Sequence, residues 1–161
     1  MGRKLVTCFS AEGNTKEVAK RLAGAIGADF FEIVPEKPYT KADINWMNPL
    51  ARCNREQRGK KDVPVAGKIE GFEQYDMVFI GFPIWYWEAP LIIKTFAAGY
   101  DWSGKKIALF ATSGGSGMGK TAEKLAPSLN GKGEIVDAKL FSASADEAVL
   151  REWADSLSGR E

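Results

Sequence analysis

Short apolar runs and helical stripes of apolar residues alternate along the chain, and their order predicts its elements. The first run, LVTCF at 5–9, stops at Ser10 and is followed by a Gly13-Asn14 pair and a helical pattern over 15–26. Strands are predicted at 5–9, 29–34, 77–81, 105–111 and 134–141, and helices at 15–26, from 90 through 96, at 120–129 and directly after Ser144.

Two of the predicted helices have well-marked ends. Gly27 follows the helix over 15–26 and is expected to end it, because glycine readily adopts the left-handed conformation found there. The last helix is expected to begin with a capping box formed by Ser144 and Glu147. Its apolar face is predicted to comprise Val149, Leu150, Trp153 and Leu157.

The least regular part of the chain lies between Tyr39 and Tyr75. No strand is predicted within it, and the basic run GKKDVPVAGK is typical of a solvated surface. Segments of this length without a strand are uncommon in compact domains. It is therefore interpreted either as a functional lid or as a mobile surface loop.

Five strands alternate with helices along the chain, without a linker or an internal repeat. This order predicts one domain over 1–161, a doubly wound α/β fold with a five-stranded parallel sheet. In such sheets ligands bind beyond the carboxyl ends of the strands, where the strand order reverses. The loops after the first, third and fourth strands lie on that edge, and all three are unusual in composition.

The first of these loops has the character of a phosphate site. A strand, a tight loop and a helix follow one another, so the free N–H groups of the helix start converge at the positive end of its dipole. Hydroxyls at Ser10 and Thr15, the amide of Asn14 and the flexible Gly13 complete the site. The alternative interpretation is a plain surface turn.

The second loop, at 81–90, is rich in aromatic residues. Phe82, Trp85, Tyr86 and Trp87 fall within six residues of one another, and a loop tip seldom has room to bury so many rings. A flat aromatic ligand stacked on one of them would explain the cluster. The alternative is that the rings cover the sheet edge or a subunit interface.

The third loop, at 112–119, offers hydroxyls and four glycines, so a ligand can approach its backbone closely. Gly114 to Thr121 also matches G-x-x-x-x-G-K-[ST], the phosphate loop of nucleotide hydrolases, with Lys120 in the lysine position. Beyond it the chain offers Asp137 as a metal-carboxylate candidate, and a hydrolase would leave the first two loops unexplained. A P-loop nucleotide hydrolase is kept as the alternative function.

The amino-acid composition limits the partners and the kinds of active site that are expected for this chain. The chain has 161 residues, 45% hydrophobic and 27% charged, with a net charge of +1, which favours neither nucleic acid nor a membrane surface as a partner. We expect no secretory signal and a cytoplasmic location. The absence of histidine excludes histidine-based nucleophile systems, and no metal site is expected. Cys8 and Cys53 are expected to be reduced and non-catalytic.

The three loops together resemble a known family. SAEGNT, GFPIWYWEAP and TSGGSGMG are similar to the FMN-binding loops of flavodoxins, specifically a short branch with PIW and TSGGSG loops, and the resemblance runs from Lys4 to about Phe141. It implies the flavodoxin-like strand order 2-1-3-4-5 with FMN at the switch between strands one and three.

The resemblance also implies which residues hold FMN. The phosphate would lie against Ser10, Glu12, Gly13, Asn14 and Thr15. The flavin ring would lie beside Pro83, Ile84, Trp85 and Tyr86, and the ribityl and pyrimidine side near Thr112, Ser113, Gly114 and Gly115.

Two departures from the family pattern shape the functional expectation. Many members have a hydroxyl where this chain has Glu12, whose carboxylate would repel a phosphate, so we expect its backbone N–H to bind and its side chain to turn outward. Flavodoxins that act as carriers are usually strongly acidic, whereas this chain has a net charge of +1.

Two functions within the resemblance therefore remain open. One is an electron carrier with a redox protein partner, and the other is an FMN-dependent NAD(P)H oxidoreductase that reduces a small quinone or flavin acceptor. The near-neutral charge and a 39–75 segment able to roof the ring favour the enzyme. Trp87 and Arg55 are candidate lid or substrate contacts, and the protein is expected to be a monomer or a homodimer.

Overall fold

Seven strands and three helices make up the part of the chain that the computed structural model describes, residues 3–9, 14–35, 65–66, 69, 71–83, 91–112, 133–141 and 145–158. The strands are β1 (Arg3–Cys8), β2 (Asp29–Glu32), β3 (Val34–Pro35), β4 (Val65–Ala66), β5 (Tyr75–Pro83), β6 (Lys106–Thr112) and β7 (Glu134–Phe141). The helices are α1 (Asn14–Ile26), α2 (Leu91–Ala98) and α3 (Glu147–Ser158), with one 3₁₀ turn at Phe72–Gln74.

The central sheet has the strand order β2-β1-β5-β6-β7, and every neighbouring pair is parallel. This is the predicted order 2-1-3-4-5, which is confirmed. Leu5 pairs with Asp29 on one side of β1 and with Val78 on the other. Strand β2 is added on the outer side of β1, and β6 and β7 are added on the outer side of β5. The strand order therefore reverses between β1 and β5.

Side chains alternate between the two faces of the sheet and build one core on each face. On β6, Ala108 and Phe110 join the core under α1 and α3, while Ile107 and Leu109 join the core under α2. Strands buried on both faces are apolar at nearly every position, which explains why the strands at 77–81 and 105–111 were readily predicted from the sequence.

The strand predicted at 29–34 is divided in the structure. Strand β2 ends at Glu32, the N–H of Ile33 donates to the carbonyl of Cys8 at 2.6 Å, and Val34–Pro35 then pairs antiparallel with Val65–Ala66. Pro35 has no N–H and cannot extend a parallel ladder. The prediction that 39–75 contains no strand is therefore wrong, because β4 lies within it.

The end of α1 agrees with the prediction from the sequence, whereas the start of α3 differs from it. Gly27 has φ +67° directly after α1, as predicted for a terminating glycine. At the start of α3, the carboxylate of Asp146 accepts the N–H of Val149 at 3.0 Å, so Asp146 and not Ser144 is the N-cap. Val149 itself is 44% exposed, contrary to the predicted apolar face, and Ala154 is buried in its stead.

Two further expectations concern helices. The helix predicted from 90 is observed as α2, beginning at Leu91. The helix predicted at 120–129 and the residue Cys53 lie outside the described residues. No helix within the described ranges is long and apolar enough to span a membrane.

Candidate functional site

The carboxyl ends of β1, β5 and β6 lie close together, and their location sets the position of the candidate site. Cys8 pairs with Gly81, and Pro83 pairs with Thr112 at the last position of the next ladder. The N–H of Phe9 donates to the carbonyl of Gly81 at 2.9 Å and extends the pairing beyond β1. These three strands therefore end at one edge of the sheet.

Helix α1 begins at this same edge. Its first residue is Asn14, so its leading N–H groups, which have no partner within the helix, lie beyond the end of β1. The helix packs on β1, β2, β5, β6 and α3. An anion placed at this position would gain both the N–H donors and the favourable end of the helix dipole.

Two buried threonine hydroxyls join the first and third segments at this edge. The Oγ1 atoms of Thr15 and Thr112 lie 2.7 Å apart and form a hydrogen bond in which either can donate. Thr15 is 1% exposed and Thr112 is 7% exposed. The residues are 97 positions apart in the chain, so this bond depends entirely on the packing of α1 against the sheet.

Four of the predicted site residues are thus placed on one edge of the sheet. Thr15 and Thr112 are in contact, and the backbones of Asn14 and Pro83 lie at the start of α1 and the end of β5. The remaining predicted residues lie outside the described part of the chain: Ser10, Glu12, Gly13, Ile84, Trp85, Tyr86, Ser113, Gly114 and Gly115. The same is true of Arg55, Trp87, Lys120 and Thr121.

The sheet beneath the hydroxyl pair depends on a close contact that the sequence analysis did not identify. Gly81 pairs with Phe110, and a Cβ at Gly81 would lie only 2.3 Å from the Phe110 ring. The ring therefore crosses β5 directly over the glycine backbone. The signal in the sequence is a glycine at the end of a buried apolar strand, which often marks a close approach.

Trp153 on α3 anchors the same face of the sheet. Its ring meets those of Phe79, Phe110 and Phe141 edge-on, at centroid distances of 5.6, 6.3 and 5.1 Å. Its indole N–H donates to Oδ2 of Asp137 at 2.8 Å, while Oδ1 accepts the N–H of Ala138 at 2.9 Å. The carboxylate that the hydrolase alternative needed as a metal ligand is therefore bonded within the β7–α3 packing.

The thiol of Cys8 is buried at the carboxyl end of β1 and makes no disulfide. Its pKa is raised from 9.0 to about 12, chiefly by burial and also by the Glu32 carboxylate, while Lys16 and Lys20 oppose the increase. The group is therefore a neutral thiol at physiological pH. A neutral thiol is a weak nucleophile.

Comparison with known families agrees with this architecture. The family model described as Flavodoxin matches residues 3–157, nearly the whole chain. The chain therefore belongs to the flavodoxin family. Among the curated proteins, none matches the chain.

Solved structures extend the comparison. A protein of Bacteroides eggerthii DSM 20697 assigned as a flavoprotein is 38% identical, with a TM-score of 0.89 over 98% of this chain and 99% of that one. Another so assigned, from Bacteroides uniformis ATCC 8492, is 35% identical, with a TM-score of 0.88 over 96% and 98%. A flavoprotein of Lactobacillus acidophilus NCFM, solved in complex with FMN, is 19% identical, with a TM-score of 0.69 over 96% and 99%.

Proposed function

We propose that this flavodoxin-family protein binds FMN at the carboxyl edge of its sheet and transfers electrons or hydride through it. The observation that carries the proposal is the buried bond between Thr15 and Thr112, which sets hydroxyl groups beside the start of α1 where the strand order reverses. Membership of the family and the FMN complex of the Lactobacillus relative support FMN as the cofactor.

The described residues fit the phosphate end of FMN. A phosphate needs several donors around a negative charge, and this edge offers the leading N–H groups of α1, which lack partners within the helix, with buried hydroxyls beside them. A riboflavin without the phosphate would leave those donors unused. The fit favours a phosphorylated flavin over an unphosphorylated one.

The proposed site divides among three segments. The phosphate is held by Ser10, Glu12, Gly13, Asn14 and Thr15, with Glu12 contributing its backbone and turning its side chain outward. The ring is held by Pro83, Ile84, Trp85 and Tyr86, and the ribityl and pyrimidine side by Thr112, Ser113, Gly114 and Gly115. Bound FMN supplies the redox chemistry, while the chain binds it, orients it and limits access of water to it.

The acceptor proposed is a small molecule of the quinone or flavin type, with a redox protein partner as the other candidate. Carriers that dock on protein partners rely on charge complementarity to raise the rate of encounter. With 22 basic and 21 acidic residues, this chain has almost no net charge to steer such an encounter. The proposed location is the cytoplasm.

An FMN titration tests the cofactor. Purified protein is expected to take up one FMN per chain with quenching of flavin fluorescence, and excess ATP with Mg²⁺ is expected not to compete. Absence of FMN uptake would contradict the proposed function, and displacement by ATP would contradict the assignment of the site to a flavin.

The acceptor is tested with the loaded protein. Oxidation of NAD(P)H is expected to accelerate when a soluble quinone is added, with a rate that changes little between low and high salt. A rate that falls steeply with salt and requires an added redox protein would instead support the carrier, because steered encounters weaken as ions screen the charges.

A further inference from the structure

We infer that Thr112 is a positioning residue for phosphate recognition: its hydroxyl donates to Oγ1 of Thr15 and so directs the Thr15 hydroxyl proton toward the phosphate of the cofactor. This inference rests on the proposed function. It assigns the Thr112 hydroxyl a task at the phosphate end, in addition to the proposed place of Thr112 and the residues after it near the ribityl chain.

The two hydroxyls are held by elements that are fixed independently. Thr112 ends β6, which is paired on both sides, by β5 at Pro83 and by β7 at Phe141. Helix α1 is tied to α3 by the Arg151 side chain, whose Nε donates to the carbonyl of Ala25 at 3.0 Å. The 2.7 Å separation is therefore set by the packing of the fold.

Strand alternation explains why Thr112 faces α1. Ala108 and Phe110 on β6 belong to the core beneath α1 and α3, and Thr112 follows at the next position of the same face. Ala111 belongs to the opposite core, under α2. At the end of β6, therefore, only a side chain at position 112 can point its hydroxyl at the first turn of α1.

The number of hydroxyl protons determines how many acceptors the pair of threonines can serve. Each threonine hydroxyl has one proton and two acceptor lone pairs. The bond between them uses one proton, so one proton remains for a further acceptor, and no other described residue is seen to bond either hydroxyl. That second proton can serve an acceptor that lies next to the pair.

The position of the phosphate determines which of the two threonines donates in the hydrogen bond between them. Thr15 lies in the first turn of α1, beside the N–H groups that favour an anion, whereas Thr112 lies at the strand end. A phosphate at the helix start accepts the Thr15 proton, which leaves Thr15 Oγ1 to accept from Thr112. Such a chain of hydrogen bonds strengthens each member, since each polarises the next.

The experiment compares FMN with riboflavin in two threonine variants. Thr112→Val keeps nearly the same shape but removes the hydroxyl, and Thr112→Ser keeps it. We expect Thr112→Val to weaken FMN binding about tenfold, because the hydrogen bond from Thr15 to the charged phosphate loses its orientation, and to weaken riboflavin binding less. Thr112→Ser is expected to bind FMN like the wild type.

A second comparison tests whether Thr112 acts through Thr15. The double variant Thr15→Val/Thr112→Val is expected to bind FMN no more weakly than Thr15→Val alone, because the relay is already broken. Additive losses, equal losses for FMN and riboflavin, or an unchanged FMN affinity in Thr112→Val would each overturn the inference. If Thr112→Val does not fold, Thr112→Ala takes its place with the same expected and contrary outcomes.

Failure of the inference and failure of the proposed function give different results. A wild-type protein that binds neither flavin contradicts the function itself. A wild-type protein that binds FMN more tightly than riboflavin, and keeps that preference in Thr112→Val, overturns only the role of Thr112.

Discussion

The carboxyl and amino edges of the central sheet both bury polar side chains, and they satisfy them in different ways. At the amino edge, Lys105 is 7% exposed, and its ammonium donates to the carbonyl of Phe72 at 3.0 Å and to that of Tyr75. It also lies 4.7 Å from the centroid of the Phe72 ring. At the carboxyl edge, the buried polar groups are the neutral hydroxyls of Thr15 and Thr112.

The difference separates a structural edge from the proposed binding edge. The Lys105 ammonium closes the chain turn at Phe72–Gln74 onto β5 by satisfying backbone carbonyls. An open cavity of about 330 Å³ adjoins it, but Glu73 and Asp101 line that cavity together with the lysine, and no ligand chemistry follows from such a lining. The bond of the threonine pair, in contrast, uses one of its two hydroxyl protons, and the proposal assigns the other to the phosphate. Polar groups already paired within the fold stabilise it, whereas a group with spare capacity can recognise a ligand.

The largest expected effect is at Gly81, near the proposed binding edge of the sheet. Gly81→Ala brings a Cβ to within 2.3 Å of the Phe110 ring, so strand or ring must shift, and we expect a loss of about 3 kcal/mol in the free energy of unfolding. FMN affinity is expected to fall as well, because the strand end moves. Urea unfolding measures the loss of stability, and FMN titration measures the loss of affinity.

Gly24→Ala is the matched control for this substitution. Gly24 lies in α1 and a Cβ there meets nothing within 4 Å, so the variant is expected to be more stable by about 0.5–1 kcal/mol. Gly81→Ala with unchanged stability would mean that the Phe110 ring does not lie over the strand.

The next largest effect is expected at the amino edge. Lys105→Met keeps most of the apolar stem but leaves the carbonyls of Phe72 and Tyr75 without their donor, at an expected cost of about 2 kcal/mol in the free energy of unfolding. The affinities for FMN and riboflavin are expected to stay as in the wild type, measured at a temperature well below the unfolding transition.

Lys20→Ala serves as the control, since Lys20 is exposed on α1 and its removal is expected to change stability by less than about 0.5 kcal/mol. A loss of flavin affinity in Lys105→Met, with the fold intact, would show that the two edges are not separate in function.

The smallest effect is the pH dependence from Cys8. Because the folded pKa is raised from 9.0 to about 12, the native state keeps a proton that the unfolded chain loses. This stability is complete below pH 9.0 and declines as the pH rises toward 12. At about pH 10 the expected loss, relative to neutral pH, is about 1 kcal/mol.

The measurement uses chemical unfolding at both pH values in a Cys53→Ser background, so that Cys8 is the one remaining thiol. Cys8→Ala in the same background should lose less stability over that interval, by about the same 1 kcal/mol. Equal losses in the two proteins would contradict a raised pKa for Cys8.

Elements with strong periodicity could be predicted from the sequence almost to the residue. The strand at 134–141 and the helix ended by Gly27 agree with β7 and α1, because apolar spacing and a terminating glycine are local signals. The division of 29–34 and the two-residue strand β4 could not be predicted, since their pairing joins Val34 to Ala66, far along the chain. Asp146 was missed as a cap because Ser144 and Glu147 matched the same local pattern.

The candidate site shows the same division. The sequence by itself identified Thr15 and Thr112 as members of two separate loops, and the apolar strands placed both loops on one edge of a parallel sheet. Only the tertiary structure decided that their hydroxyls are bonded to each other. The physical reason is that a hydrogen bond across 97 residues depends on strand register and on the packing of α1, and neither is encoded in a local pattern.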